Sequence, residues 1–355
     1  MDNMDTGDYF ESYEDLDIHQ IMLKDSVRNK AYKQAIEDNE AYIRGKVVLD
    51  VGAGTGILSV YFAKAGAKKV YAVEASNMYR IAEEIVSENN LADVVQVIHG
   101  KIEDIVLPEK VDIIVSEWMG FYLFHEAMLH SVIYARDKFL IPGGLMFPES
   151  ATLFAAPCSV PGMYEFWDEV DGIQMKSFAE KLRNKAYEKP ITDLVDPENV
   201  LADPEIVSWL DLREATYDEI NNIRMQMLSV ANKEGVYQGI CLWFTVTFPS
   251  HETEPVTLST EPEDAPTHWK QTTIVLPTEI KIESGSPIAY ELYLTRAEDN
   301  SRQYKIEVTM LDPDTVEHPE FCQCHMTKCI LFRAVLDKYE KENQEMESVE
   351  ALEAK

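Results

Sequence analysis

The sequence predicts a Rossmann-like α/β domain followed by a mostly antiparallel β domain. Three observations carry this. Short apolar runs alternate with helix-like segments between residues 46 and 148, as βαβ units on a parallel sheet require. The first run ends in Gly52, Gly54 and Gly56, where a strand would feed the N-terminus of a helix. After about residue 150 the alternation stops. "ATLFAAPCS", "GICLWFTVTF", "WKQTTIVLP", "IAYELYLTRA" and "YKIEVTML" then follow, separated by polar turns, the pattern of an antiparallel barrel or sandwich.

The elements follow in order. Residues 1–8 are polar and are expected to be disordered. Residues 9–45 read as helices, with Ile21, Met22, Val27 and Tyr32 spaced among charged residues. "KVVLDVGAGTG" is a strand and glycine loop, and "ILSVYFAKAGA" is a helix ending near Gly66. "KVYAVEAS", "VVQVIHG" and "KVDIIVSE" are the next strands, with the helix "MYRIAEEIVSENN" after the second. The helix "AMLHSVIYARDKFL" and a turn at "IPGG" close this domain before "LMFPES". The β domain spans residues 149–337. It is interrupted at about 161–190 by the helix-like "MYEFWDEV" and "KSFAEKLRNKAYEK", and an insertion of that length usually serves function or an interface. Residues 338–355 form an acidic tail, helix or coil.

The chain has 355 residues, 46% of them hydrophobic, enough for two domains with cores of their own. A net charge of −31 argues against direct nucleic-acid binding, which needs a cationic surface. Such a field either attracts basic peptides or serves solubility alone. Five cysteines, an odd number with no secretory segment behind Met1, fit reduced thiols in an intracellular protein. The longest apolar stretch, residues 47–67, is broken by Asp50, Lys64 and four glycines, so no membrane span is expected. With Asp2 after Met1, no myristoylation is expected.

Gly-x-Gly-x-Gly differs from the Gly-x-Gly-x-x-Gly of dinucleotide-binding folds, which disfavours a dehydrogenase. Asp50 ends the first strand, where a carboxylate would repel a pyrophosphate but suit an ammonium or sulfonium. Glu74 ends the second strand, 22 residues after Gly52, near the spacing of a ribose-binding acid. Glu103 and Glu117 follow the third and fourth strands. Acids thus stand at four successive strand ends, where open α/β sheets bind ligands.

A second glutamate, Glu126, lies nine residues beyond Glu117 in "SEWMGFYLFHE". On a straight helix the two would face opposite ways. To converge they need a hairpin-like loop, which Gly120 would permit. Otherwise they are a capping acid and an exposed helix acid. If they converge, a guanidinium is the fitting partner, planar, always protonated and offering five donors in a fixed fork.

"LDVGAGTGILS", "VYAVEAS" and "VDIIVSEW" resemble the motifs of class I S-adenosylmethionine-dependent methyltransferases. "SEWMGFYLFHEAM" and "THWKQT" resemble the double-glutamate and Thr-His-Trp loops of the protein arginine methyltransferases. The resemblance runs from Tyr9 to about Arg333. It implies S-adenosyl-L-methionine as cofactor, with Glu74 on the ribose hydroxyls, Glu103 on the adenine amino group, Arg28 on the cofactor carboxylate, and His19 and Met22 in a lid. It implies catalytic roles for Glu117 and Glu126, an Asp25–His268 pair acting as proton path or clamp, and Tyr13, Met128 and Trp269 on the substrate side. Methionine at both 22 and 128 goes, in that family, with asymmetric dimethylation. The insertion, with Tyr164, Phe166 and Trp167, would be a dimerisation arm, the alternative being local packing of these residues on the β domain. Basic protein substrates such as histones or Arg-Gly-rich RNA-binding proteins, a homodimer, and residence in cytoplasm and nucleus are further expectations. A catalytically silent relative serving as a dimer partner is the alternative. Phe121 replaces the usual tyrosine after "SEWMG", and His125 stands where relatives often carry another residue.

"HPEFCQCHMTKC" gathers His318, Cys322, Cys324, His325 and Cys329. Its spacing is not that of a zinc ribbon. The segment also coincides with the last expected strand, where Cys322 and Cys324 would share a face. These are read as structural thiols, and no metal is expected.

Overall fold

The computed structural model describes residues 14–164, 166–251, 253–298 and 302–353, without the side chains of residues 166, 340 and 342–353. The expected N-terminal tail and Tyr13 lie outside the described residues.

Two helices open the fold, α1 (Leu16–Lys24) and α2 (Ser26–Asp38), with a short α3 (Glu40–Ile43). Asp25 divides the first two, its N–H closing the end of α1 and its side chain accepting from the N–H of Arg28 to cap α2. Then come β1 (Val47–Val51), α4 (Ile57–Lys64), β2 (Lys69–Glu74), α5 (Tyr79–Glu88), β3 (Val95–His99), β4 (Val111–Val115), α6 (Leu129–Phe139) and β5 (Leu140–Phe147). All five strands are parallel, in the order β3-β2-β1-β4-β5. β1 is buried along its whole length, as a strand covered on both faces must be. The order reverses between β1 and β4, so their carboxyl ends open the crevice where such sheets take ligands.

The expected turn at "IPGG" lies instead within β5, where the pairing with β4 shifts register between Val111 and Ile113. A side chain on Gly144 would collide with Leu140 and with the Asp112 carbonyl, so glycine admits an irregularity in a continuing strand.

The second domain holds β6 (Ser150–Cys158), α7 (Pro161–Tyr164), β7 (Glu169–Val170), β8 (Ile173–Gln174), α8 (Lys176–Glu188), β9 (Ile191–Asp193) and β10 (Glu205–Asp211). It continues with α9 (Tyr217–Asn221), β11 (Asn222–Val230), β12 (Gly235–Thr247), β13 (Thr257–Ser259), β14 (Gln271–Ile282), β15 (Pro287–Arg296) and β16 (Tyr304–Leu311). These strands form a six-stranded sheet, β10-β6-β12-β14-β9 with β13 beside β12, and a three-stranded sheet, β11-β15-β16. A bridge between Ala202 and Ala231 links them.

The cysteine segment does not belong to the last strand. β16 ends at Leu311, and the Asp312–Thr315 turn leads into an irregular loop. The terminal helix α10 (Thr327–Glu353) begins earlier than the expected tail. In the insertion, α7, the β7–β8 hairpin and α8 make the arm, but Tyr164 faces inward. It is buried, donates to the Leu276 carbonyl at 2.5 Å and lies under the Arg183 guanidinium. Trp167 packs on Phe178, while Ile173 and Phe178 are the exposed large apolar residues among those described in the arm.

One hydrophobic core runs through both domains. Phe147 of β5 meets Phe62 of α4 edge-on at 5.3 Å, and Phe248 after β12 meets Tyr32 of α2 at 4.8 Å. The lid helices, parallel sheet and β domain therefore share packing at the cleft's base. Among the described residues no helix is long and apolar enough to cross a membrane.

Candidate active site

The carboxyl ends of β1 to β4, the lid helix α1 and the loop before α6 enclose a cleft of about 1130 Å³, part of it open to solvent. Its floor is the glycine loop. Gly52, Gly54 and Gly56 all have positive φ, and Gly54 lies close under the His19 ring on α1. His19 and Met22, one helical turn apart, turn the same face of α1 toward the cleft.

Eleven of the fifteen residues singled out by the sequence line this cleft, namely Glu117, Glu126, His268, His19, Met22, Arg28, Gly52, Gly54, Glu74, Glu103 and Met128. Asp25, Asp50 and Trp269 do not line it, and Tyr13 lies outside the described residues. The first two stand directly behind lining residues.

Glu74 accepts from the N–H groups of Gly54 at 2.8 Å and Ser76 at 2.7 Å, so the strand-end acid and the glycine loop fix one another. Glu103 is exposed and accepts from the Ser131 hydroxyl at 2.7 Å. Asp50 is buried and takes a hydrogen bond from Ser59 at 2.7 Å, while its other oxygen has no hydrogen-bond partner. Burial pushes the Asp50 carboxyl up to about 7, against the Ser59 bond and helped by the Glu74 charge.

A hairpin brings Glu117 and Glu126 onto the same cleft. Gly120 and Leu123 exchange backbone hydrogen bonds at 3.0 and 2.9 Å and reverse the chain. The need for glycine is one of space. A Cβ at position 120 would stand 2.3 Å from the His125 carbonyl oxygen. Leu123, Glu126 and Ala127 all take positive φ, which non-glycine residues rarely adopt. The buried Trp269 fastens this loop by donating from Nε1 to the Met119 carbonyl at 2.7 Å. Trp269 is thus a support of the glutamate loop, packed in the core rather than on the substrate side.

The Glu117 carboxylate meets the Arg28 Nε at 3.1 Å, both side chains nearly buried. Arg28, implied to hold a cofactor carboxylate, therefore also positions this glutamate. His268 sits behind the lid, its Nδ1 2.7 Å from Asp25, and its backbone N–H reaches the same carboxylate at 2.9 Å. Burial raises the Asp25 carboxyl, but the bonds from His268 and the Arg28 N–H outweigh it and hold it below the usual carboxylate value. Phe121 is part-exposed and packs on His125 at 5.4 Å.

Arg302, which the sequence reading missed, lines the cleft, with Nη1 3.4 Å from the Glu126 carbonyl and 3.8 Å from the Met128 sulfur. It lies in the loop before β16, where "DNSRQYK" carries no signal of a site.

The cleft offers apolar walls from Val51, Leu58, Val73 and Ile102, carboxylates at 74 and 103, and a guanidinium at 28. This donor set fits an adenosine bearing a charged amino acid, with hydroxyls, an exocyclic amine and a carboxylate to satisfy. A parallel sheet with that cleft, joined to an antiparallel β domain, defines a methyltransferase with an appended β module. The family comparisons agree. Residues 48–144 match a methyltransferase domain, and residues 149–311 match the arginine methyltransferase oligomerization subdomain. A probable protein arginine N-methyltransferase 6.1 of Oryza sativa is 42% identical over 84% of this chain and 86% of its own length. Protein arginine N-methyltransferase 6 of Xenopus tropicalis is also 42% identical, over 84% and 89%. Among solved structures, the Trypanosoma brucei PRMT1 enzyme–prozyme heterotetrameric complex with AdoHcy superposes with a TM-score of 0.77 at 33% identity, covering 87% of this chain and 98% of that one. A PRMT6–SAH structure superposes at 0.72 and 32% identity, over 84% of this chain and all of that one. The chain belongs to the protein arginine N-methyltransferase family, and its methyl donor is S-adenosyl-L-methionine.

Two outcomes follow from this geometry. Asp50 has a folded pKa above its unfolded one, so its contribution to stability falls as pH rises from about 4 to about 7. Asp50→Asn mimics the protonated form. In cofactor-free protein its melting-temperature advantage over the native chain should grow across that window and level off above it. Gly120→Ala should cost about 1–3 kcal/mol in urea unfolding, as overpacking does, and reduce turnover in parallel.

Proposed function

We propose that the chain methylates arginine side chains in basic protein segments and that its final product is asymmetric dimethylarginine, the type I outcome. The observation that carries this is the convergence of Glu117 and Glu126 on one cleft beside the glycine loop. S-adenosyl-L-methionine, when bound, supplies an electrophilic methyl on a sulfonium. Glu117 and Glu126 grip the substrate guanidinium along two edges and leave one terminal nitrogen exposed. Their charge draws the cation's positive density to the gripped side and leaves electron density on the attacking nitrogen. Fixing that nitrogen in line accounts for several kcal/mol of barrier lowering. The buried Trp118 and Met119 shed water and strengthen both ion pairs. Asp25 accepts from the Nδ1–H of His268, which leaves Nε2 as a basic nitrogen for the proton the product must lose. Met22 and Met128, both half-buried at the cleft, are slim and adaptable enough to admit a nitrogen already carrying one methyl. The net charge of −31 favours encounter with cationic segments.

The chain acts as a homodimer in this reading. The support is the match of residues 149–311 to an oligomerization subdomain and the exposed Ile173 and Phe178 on the arm.

Tandem mass spectrometry of an arginine peptide library incubated with S-adenosyl-L-methionine should find mono- and asymmetric dimethylarginine. Symmetric product would refute the type assignment. Glu126→Gln should bind S-adenosylhomocysteine as the native chain does yet lose at least about 100-fold in kcat, the scale of a lost transition-state contact. Replacing Ile173 and Phe178 together by aspartate should give a monomer in analytical ultracentrifugation; an unchanged dimer would remove the arm from the interface.

A further inference from the structure

Outside the methyltransferase cleft, the loop between β16 and α10 gathers His318, Cys322, Cys324 and Cys329. Their ligand atoms, one imidazole nitrogen and three sulfurs, all lie within 4.8 Å of one another. We propose that these four residues bind one zinc ion in a closed tetrahedral Cys3His site that fastens α10 to the β domain.

The distances match a metal tetrahedron. Zn–S bonds of about 2.3 Å and Zn–N bonds of about 2.0–2.1 Å place sulfurs about 3.8 Å apart and nitrogen about 3.5 Å from each sulfur. The His318 Nδ1 stands 3.4, 3.5 and 3.1 Å from the sulfurs of Cys322, Cys324 and Cys329. The tautomer is set from behind. His318 Nε2 lies 2.8 Å from the Pro313 carbonyl, which can only accept, so Nε2 carries the proton and Nδ1 presents its lone pair to the thiols. An imidazole oriented by a carbonyl on its far nitrogen is the usual support of a metal-bound histidine.

The surroundings suit the charge of three thiolates. Arg333 donates to the carbonyls of Cys322 and Cys324, and Lys328 reaches those of Pro313 and Asp314. Cys329 stands in the first turn of α10, so the fourth ligand comes from the helix itself. Leu228, Val230 and Met326 back the cysteines, which are nearly fully buried. A small opening lined by Glu320, Lys328 and Phe332 leads to Cys322 and Cys329, giving an entry path. Four protein ligands leave no open position, so the site is structural, and three soft thiolates with one imidazole select zinc over the harder divalent ions.

Spacing alone does not reveal this cluster, because a segment continuing β16 as a strand would keep His318 and the cysteines extended. Once β16 stops at Leu311, the loop is free to fold His318 back onto the three thiols. His325, in the same segment, instead packs beside Gly285 and donates its backbone N–H to the Gly285 carbonyl.

The test is the metal content of the full-length protein, purified under reducing conditions without chelator or affinity tag and measured by plasma mass spectrometry. One zinc per chain is expected. A mercurial thiol reagent should release it to a colorimetric indicator, and cobalt substitution should give the intense visible bands of tetrahedral thiolate coordination. His318→Ala and Cys324→Ser should each lose the metal, while His325→Ala retains it. Native protein that carries no zinc and takes up neither zinc nor cobalt when supplied overturns the proposal. So does a His318→Ala variant that keeps its zinc where His325→Ala loses it.

Discussion

The active cleft depends on two adjacent residues of the β domain. His268 reaches the Asp25 carboxylate between α1 and α2, and Trp269 reaches the Met119 carbonyl in the glutamate loop. Their rings lie 3.9 Å apart. One short segment thus fixes the junction of α1 and α2 and the hairpin that carries Glu117 and Glu126. Asp25 concentrates the dependence further, since it ends one helix, caps the next and anchors the imidazole. The second domain is accordingly part of the site's frame even though most of it lies away from the chemistry.

The charges in the cleft are arranged in supporting layers. Glu74 is held by the glycine loop it helps to shape, Glu117 by Arg28, and Glu103 by Ser131. Asp50 is the exception, a buried carboxylate with one unmatched oxygen whose proton affinity is raised by its setting. An unmatched buried polar atom is costly, and this one lies behind the cleft floor, near the carboxyl end of β1.

Much of this was legible in the sequence because strand–helix alternation and strand-end acids are local patterns. The parallel sheet and the glycine loop follow from such patterns, whereas the spacing of Glu117 and Glu126 required a hairpin only if the two acids converge. What was not legible depends on contacts between distant segments. Trp269 looked like a substrate contact, yet its indole is spent on a carbonyl 150 positions away in the chain. Arg302 has no neighbouring motif and reaches the cleft because of where the β16 hairpin lands. Tyr164 belongs to the insertion yet packs on the β domain, its hydroxyl donating to the β14 carbonyl at Leu276, a contact between segments 112 positions apart. "IPGG" looked like a turn because glycine and proline favour turns, whereas here glycine lets a strand pass close to its neighbours.

The hairpin that carries the two glutamates contains three non-glycine residues in left-handed conformations, at 123, 126 and 127. Leucine, glutamate and alanine do not favour that conformation on their own, and the walls around the loop, above all Trp269 and the core beneath Tyr122 and Phe124, hold it in place. The loop's geometry is therefore a property of its enclosure. Grafted onto another scaffold, the same eleven residues would keep their chemistry and lose their form.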